Sequence, residues 1–224
     1  MSNSPRAPKR SRLTSANDPV VVYGVVAAEG VETGSHIADC EVLIVRGLAA
    51  VLEACSLGNS HEVPQRVARY REVVEKVFSE RTVVPNPFNT LFRSRASVAR
   101  WLELHGSPLQ EAIDFVSDRA TMRVRVGVTG SPATEVAAAS IDGLLWTALR
   151  RLKGDAVAAV PVVANADGTT GADRSAACAY LIDQESIAVF QQRVASLTSS
   201  ESHLRFDVVG PLPAYDFVKM DFGG

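Results

Sequence analysis

The residues that could do chemistry in this 224-residue chain are few and scattered. His36, His61, His105 and His203 share no HxH or HExxH spacing, so a metal site would have to be assembled from separate parts of the fold. Cys40, Cys55 and Cys178 form no CxxC pair, which gives neither a disulfide framework nor a zinc knuckle. They read as small hydrophobes in a reducing compartment, and the chain is expected to be cytoplasmic. The stretch from Asn165 begins like a calcium loop. It then lacks a glycine at the sixth position and a glutamate at the twelfth, and reads as a solvated turn. Gly127 to Ser131, "GVTGS", could cradle a phosphate, but the lysine of a P-loop is missing and neither GxGxxG nor GxSxG occurs. The 25 carboxylates offer pairs by chance alone. The expectation is therefore no catalytic residue, no metal ligand and no cofactor.

Composition bounds the rest. The chain is 46% apolar with a net charge of −2, which is ordinary for a globular protein and argues against general disorder. No apolar run reaches the roughly 18 residues of a membrane span. The start, "MSNSPRAPKRSR", lacks the apolar stretch of a secretory signal. Arg6, Lys9, Arg10 and Arg12 make the first 18 residues +3 against −5 for the remainder. This arm is expected to be a disordered basic tail, with no nucleic-acid partner, because no basic platform bearing aromatic residues accompanies it.

Order is expected from Pro19. "VVVYGVVA" (Val20 to Ala27) has strand character and ends at a Glu29-Gly30 turn. "EVLIVRGLAAVLEA" should be split by Gly47 into two strands or a bulged hairpin. In "EVPQRVARYREVVEKVFSE", Val67, Tyr70, Val74, Val77 and Phe78 fall at helical spacing, and Pro64 suits the first turn. Ser94 can cap a helix burying Val98, Trp101 and Leu102, which Gly106 should stop. Ser107 to Gln110 reads as a capping box opening a short helix with Leu109, Ala112, Ile113 and Val116 inward. "TMRVRVGV" alternates Met122, Val124, Val126 and Val128 against Arg123 and Arg125.

The second half continues in this style. It predicts a helix near Glu135 to Leu152, a buried strand "AVAAVPVV", a strand "AACAYLI", a helix presenting Ile187, Phe190, Val194 and Leu197, and an alternating "HLRFDVVG". Links between several strands are too short for parallel crossovers. The expected fold is α+β: two ferredoxin-like units with mixed or antiparallel sheets, divided as 1–18 tail, 19–130 and 131–224.

Two segments stand apart. "VVPNPFNTLF" (Val83 to Phe92) places two prolines and two asparagines in an apolar run. "VVGPLPAYDFVKMDF" crowds Pro211, Pro213, Tyr215, Phe217 and Phe222 near the end. Either both segments close the cores of their units, or they line a surface for an apolar partner. The first is expected to be a bent strand with Phe88 and Phe92 packed inward, and Asn86 and Asn89 satisfying backbone groups at the break. On that placement Phe88→Ala would cost about 3–5 kcal/mol.

In order along the chain, "VVVYGVV", "GLAAVLE", "VVPNPFNTLF", "TMRVRV", "AACAYLID" and "GPLPAYDFV" resemble the gas vesicle protein F/L family. The likeness runs from Pro19 to Phe217, and the closing motif is its most specific part. Asn86-Pro87-Phe88-Asn89-Thr90 departs from the family's usual Leu-Pro-x-Arg-Phe-Gly-Thr, and Gly127 to Ser175 is short for it.

The resemblance marks Tyr23, Gly24, Pro85, Phe88, Thr90, Phe92, Tyr180, Gly210, Pro211, Pro213, Tyr215 and Phe217 as structural or partner-contacting positions. It implies a non-catalytic accessory protein of gas vesicle assembly. Its partners would be the small apolar shell protein and other accessory proteins, and it would associate with gas vesicles in the cytoplasm. Two alternatives remain open: a small-ligand enzyme or sensor with its pocket at the junction of the halves, and a nucleic-acid binder using the basic arm.

Overall fold

Strand β1 (Val20–Ala27) is the strand on which the first half is assembled. In the computed structural model, residues 18–32, 34–55, 63–129, 135–163 and 175–218 are described, side chains excepted at 135–140. The basic arm, His61, the loop resembling a calcium site and Phe222 lie outside the described residues.

Strands β2 (His36–Ile37), β3 (Cys40–Val45) and β4 (Leu48–Ala54) form a meander, with β4 antiparallel to β1. The β3–β4 turn at Arg46 and Gly47 has φ of 49° and 81°, the two left-handed residues of a tight hairpin, so Gly47 divides the strands as expected. On its other edge β1 pairs with β5 (Val84–Pro85) and β6 (Leu91–Phe92). The sheet order is β2-β3-β4-β1-β5, with β6 also on β1.

Both faces of this sheet are buried. A register shift between Val22 and Gly24 changes the phase of β1. Val20, Val22 and Val25 therefore face one core, and Tyr23 and Val26 the other. Helix α1 (Val63–Glu80) covers the second face through Tyr70, Val73, Val74 and Val77, which recur at the spacing of one helical side. Val73, on that same side, joins the residues expected from the periodicity. Helices α2 (Arg95–Leu104) and α3 (Gly106–Val116) cover the first face with Val98, Trp101, Leu102, Leu109, Ile113 and Val116. The Ser94 hydroxyl accepts from the Ser97 amide at 3.2 Å and caps α2 as its sequence predicts. The capping box expected at Ser107 does not form. The Leu109 amide donates to the His105 carbonyl at 3.0 Å, so α3 starts at Gly106, which opens this helix instead of only stopping the one before.

Strand β7 (Arg119–Val128), helix α4 (Glu135–Arg150), β8 (Ala158–Val162), β9 (Ser175–Asp183), α5 (Ile187–Ser200) and β10 (Leu204–Leu212) follow. They build an antiparallel sheet of order β10-β7-β9-β8, the ferredoxin-like βαββαβ arrangement. Its core joins Met122, Val124 and Val126 to Leu145, Leu149, Tyr180, Phe190 and Val194. Strand β8 is a half-exposed edge with Pro161 outward, not the buried strand its composition predicts. Proline is tolerated there because an edge strand leaves one side of its backbone unpaired. Val208, which the alternation of "HLRFDVVG" puts on the apolar side with Leu204 and Phe206, is 38% exposed because β10 is the opposite edge. No helix among the described residues is long and apolar enough to cross a membrane.

After β10 the chain crosses both halves as a strap. Ala214 and Leu181 of β9 share a core with β1, α2 and α3. Asp216 accepts two bonds from the Arg123 guanidinium, at 2.8 and 2.9 Å. Just before the strap, the β10 ladder is interrupted at Gly210, whose φ is +142° and whose peptide to Pro211 is cis, and resumes at Leu212 opposite Thr121. A Cβ there would stand 2.6 Å from the Thr121 carbonyl oxygen and 2.8 Å from the Met122 sulfur. Gly210→Ala is therefore expected to cost about 2–4 kcal/mol. Gly154→Ala, whose Cβ meets nothing within 4 Å, should stay within about 0.5 kcal/mol of wild type. Urea denaturation of the two variants checks this, and equal midpoints would contradict it.

Candidate functional site

The segment after α1 folds into a ridge on the edge of β1. The Asn86 amide donates to the Tyr23 carbonyl at 3.0 Å, and the Val22 amide to the Thr90 carbonyl at 3.1 Å. Between these anchors the chain turns out of the sheet. The Pro87 carbonyl accepts from the Thr90 amide at 3.2 Å and from the Thr90 hydroxyl at 2.7 Å, with Asn89 left-handed at φ 66°. The turn throws Phe88 to one side of the ridge and leaves Leu91 and Phe92 on the other.

On the first side lies an open groove of about 510 Å³. Its aromatic wall is built around Tyr70 of α1. The Tyr70 ring stands 5.7 Å edge-on from Phe88, 6.0 Å from Tyr215 and 6.3 Å from Tyr23, between centroids. The Tyr70 hydroxyl donates to the Asn86 carbonyl, tying the helix to the ridge. Burial pushes the Tyr70 phenol up to about 12. Tyr23 donates to Glu53 at 2.7 Å; burial and then that carboxylate raise its pKa as well. Burial also pushes the Cys40 thiol up to about 11, with the Glu53 charge adding to it. Arg69 closes one rim by pairing with Glu53 and, at 3.2 Å, with Glu72. The Arg66 guanidinium lies 5.9 Å over the Phe88 ring.

On the second side is a shallower groove of about 620 Å³ between the ridge and α2. Phe92 and Trp101 pack 5.4 Å apart, and His105 stands edge-on to Trp101 at 5.9 Å. Leu91, 45% exposed, and Leu104, 69% exposed, supply its open apolar surface, with Arg100 on the rim. Among the described residues no three histidine, cysteine or acidic side chains converge as a metal centre would need.

The sequence model of the gas vesicle synthesis proteins GvpL and GvpF matches residues 19–145 and 147–219. The chain belongs to this family. Its fold matches the crystal structure of the gas vesicle protein GvpF from Anabaena sp. PCC7120, with TM-score 0.68 and 16% identity over 91% of this chain and 97% of that one. It also matches GvpF from Microcystis aeruginosa, with TM-score 0.67 and 15% identity over 90% of this chain and 99% of that one. No curated protein matches by sequence.

Within this GvpL/GvpF chain the motif positions separate into four places. Tyr23, Phe88 and Tyr215 converge on Tyr70, while Pro85 sits opposite Gly24 and Thr90 closes the ridge turn. Phe92 faces the second groove, Gly210 and Pro211 lie at the end of β10, and Pro213 and Phe217 belong to the strap beyond it. Tyr180 is remote from both grooves. It is fully buried in the second core and donates to the Leu149 carbonyl in the last turn of α4 at 2.7 Å, an internal structural bond. Tyr70, Trp101, Arg66 and Arg100 line the grooves without having been singled out for the site. Tyr70 and Trp101 read in sequence only as buried helix positions, and arginines on a wet helix face carry no signal of their own.

Two expectations are corrected. Phe88 is 39% exposed instead of packed inward, because the ridge turn points it away from β1. The side chain of Asn86 is buried and bonds no backbone group among the described residues; the Thr90 hydroxyl does that work. Phe88→Ala is thus expected to cost only about 1–2 kcal/mol, against about 3–5 kcal/mol for the fully buried Phe190→Ala. Thermal or urea melts of the pair check this, and equal losses would restore an inward Phe88.

The buried phenols set an alkaline limit. Tyr23, Tyr70, Tyr180 and Tyr215 all have raised pKa values, chiefly through burial. A raised folded-state value makes the protonated form the stabilised one. That contribution is whole below the ordinary value near 10 and is lost as pH rises through about 12 and above. Urea midpoints should be level up to about pH 9 and fall steeply past 10, together with tyrosinate absorbance. A level midpoint with free tyrosinate would contradict the placement of these rings.

Proposed function

We propose that the protein is a non-catalytic accessory protein of gas vesicle synthesis that binds the small apolar shell protein, and other accessory proteins, before or during shell growth. It would work in the cytoplasm, in association with the vesicles. The family match over residues 19–219, broken only at one position, carries this reading. The open grooves beside the ridge support it, since half-exposed aromatic and aliphatic surface of this kind suits a protein partner. A shell monomer that polymerises through apolar surfaces is prone to aggregate until it is incorporated. Shielding such a monomer needs apolar contact area and no bond-making groups.

The test is a pull-down after co-expression with the shell protein of the same organism, comparing the full chain with one lacking residues 1–18. Specific capture by both forms is expected. A well-folded bait that captures no shell protein would remove the shell-binding role, and capture only by the full chain would move binding to the basic arm.

A further inference from the structure

The two grooves repeat one combination of parts on either side of the ridge: exposed apolar groups beside an arginine that no carboxylate engages among the described residues. Phe88 is 39% exposed in one, and Leu91 and Leu104 are 45% and 69% exposed in the other. Arg66 and Arg100 are both exposed, and neither has an ion-pair partner among the described residues. Two arginines close to the grooves are already matched. Arg69 is held by Glu53 and Glu72, and Arg95 of α2 makes a bidentate contact with Glu41 on β3. Arg66 is also pre-positioned, because its guanidinium rests over the Phe88 ring with its donors still available. Each groove is large enough for ligand-sized groups, at about 510 and 620 Å³.

We propose that the grooves form one docking surface for an apolar segment of a partner protein that carries carboxylates, with its acidic side chains meeting Arg66 and Arg100. This rests on the reading of the chain as a partner-binding protein and adds the chemistry of what it binds. Apolar side chains of the segment enter the two grooves across the ridge, as anchors of an amphipathic helix enter a groove. The carboxylates complete the two open guanidiniums and set the segment's direction. A basic segment of the same apolar pattern is refused by like charge at both rims.

The test uses two synthetic peptides of roughly 15 residues, about four helical turns, with one shared leucine–alanine pattern. One carries glutamates and the other lysines. Each is titrated by fluorescence anisotropy against the full chain, against R66E/R100E, and against R46E as a charge control on the exposed β3–β4 turn. Only the glutamate peptide is expected to bind, with at least a tenfold loss in R66E/R100E (about one pairing's worth of free energy for each arginine), and with affinity falling as salt rises. Equal binding of both peptides, binding of neither, or an unchanged R66E/R100E overturns the proposal.

Both arginines are exposed, so an unchanged melting midpoint separates lost binding from lost folding. Sedimentation showing a dimer that R66E/R100E dissociates would assign the surface to a second copy and also overturn it. The shell-protein pull-down separates this inference from the function it rests on. Wild-type-level capture by R66E/R100E would leave the assembly role standing without this surface. Peptide discrimination without any shell capture would do the reverse.

Discussion

At Gly24 the backbone of β5 passes so close to β1 that no side chain fits between them. A Cβ there would lie 2.8 Å from a Val83 methyl and 2.9 Å from the Val84 carbonyl oxygen. Much of the first unit depends on this crossing. It is where the register of β1 against β4 shifts, and so where the strand's alternation is handed from one core to the other. It also fixes the start of the ridge, because Pro85 is held opposite Gly24 and the following amide bonds Tyr23. The chain then has only the residues from Asn86 to Thr90 in which to leave β1 and return to it. A short excursion anchored at both ends must turn sharply, and Phe88 leaves on one face while Phe92 lands on the other. Helix α1 ends just before this passage and α2 begins just after it. The two helical layers on opposite faces of the sheet are therefore placed by one point that lacks a side chain.

A second such point joins the halves. Gly210 lets the end of β10 pass against Thr121 and Met122, and the strap beyond β10 packs on both halves. Tyr215 packs on Tyr70 in the α1 layer, Phe217 packs against the core under α2 and α3, and Asp216 grips Arg123 on β7. The Asp216 side chain is mostly buried, and a bidentate pair in that setting holds a defined geometry better than an exposed one. Tyr70 thereby touches Phe88, which faces the first groove, and Tyr215, which ties down the strap. The grooves sit on a scaffold steadied from the far end of the chain, so their shape is set in advance of any contact.

Much of this architecture is legible in the sequence, and for local reasons. Helices α1 and α5 show their buried sides in periodicity, Ser94 announces a cap, and Gly47 announces a hairpin, because each depends on residues within a few positions of one another. Misreadings arose where a distant partner decides the outcome. The half-exposure of β8 follows from its place at the edge of a sheet, which its apolar composition does not record. Ser107 has the letters of a capping box, but α3 starts earlier by continuing from α2. Phe88 looks like a core residue among valines, and only the pairing of its neighbours with β1 turns it outward. The candidate site was legible in part: the ridge and the strap stood out by their prolines and aromatics. Arg66 and Arg100 lie 34 residues apart on different helices, and only the fold sets them on the two flanks of the ridge.

A surface of this kind has energetics suited to a temporary hold. Half-exposed rings and leucines lose only part of their area on docking, and each Å² of apolar surface removed from water contributes about 25 cal/mol. Ion pairs at a wet rim add about 0–1 kcal/mol each, since solvent screens them and ordering long side chains opposes them. Association itself costs several kcal/mol before any contact shows as affinity. A partner docked as proposed would therefore be recognised without being held permanently. Selectivity comes from charge and affinity from modest apolar burial.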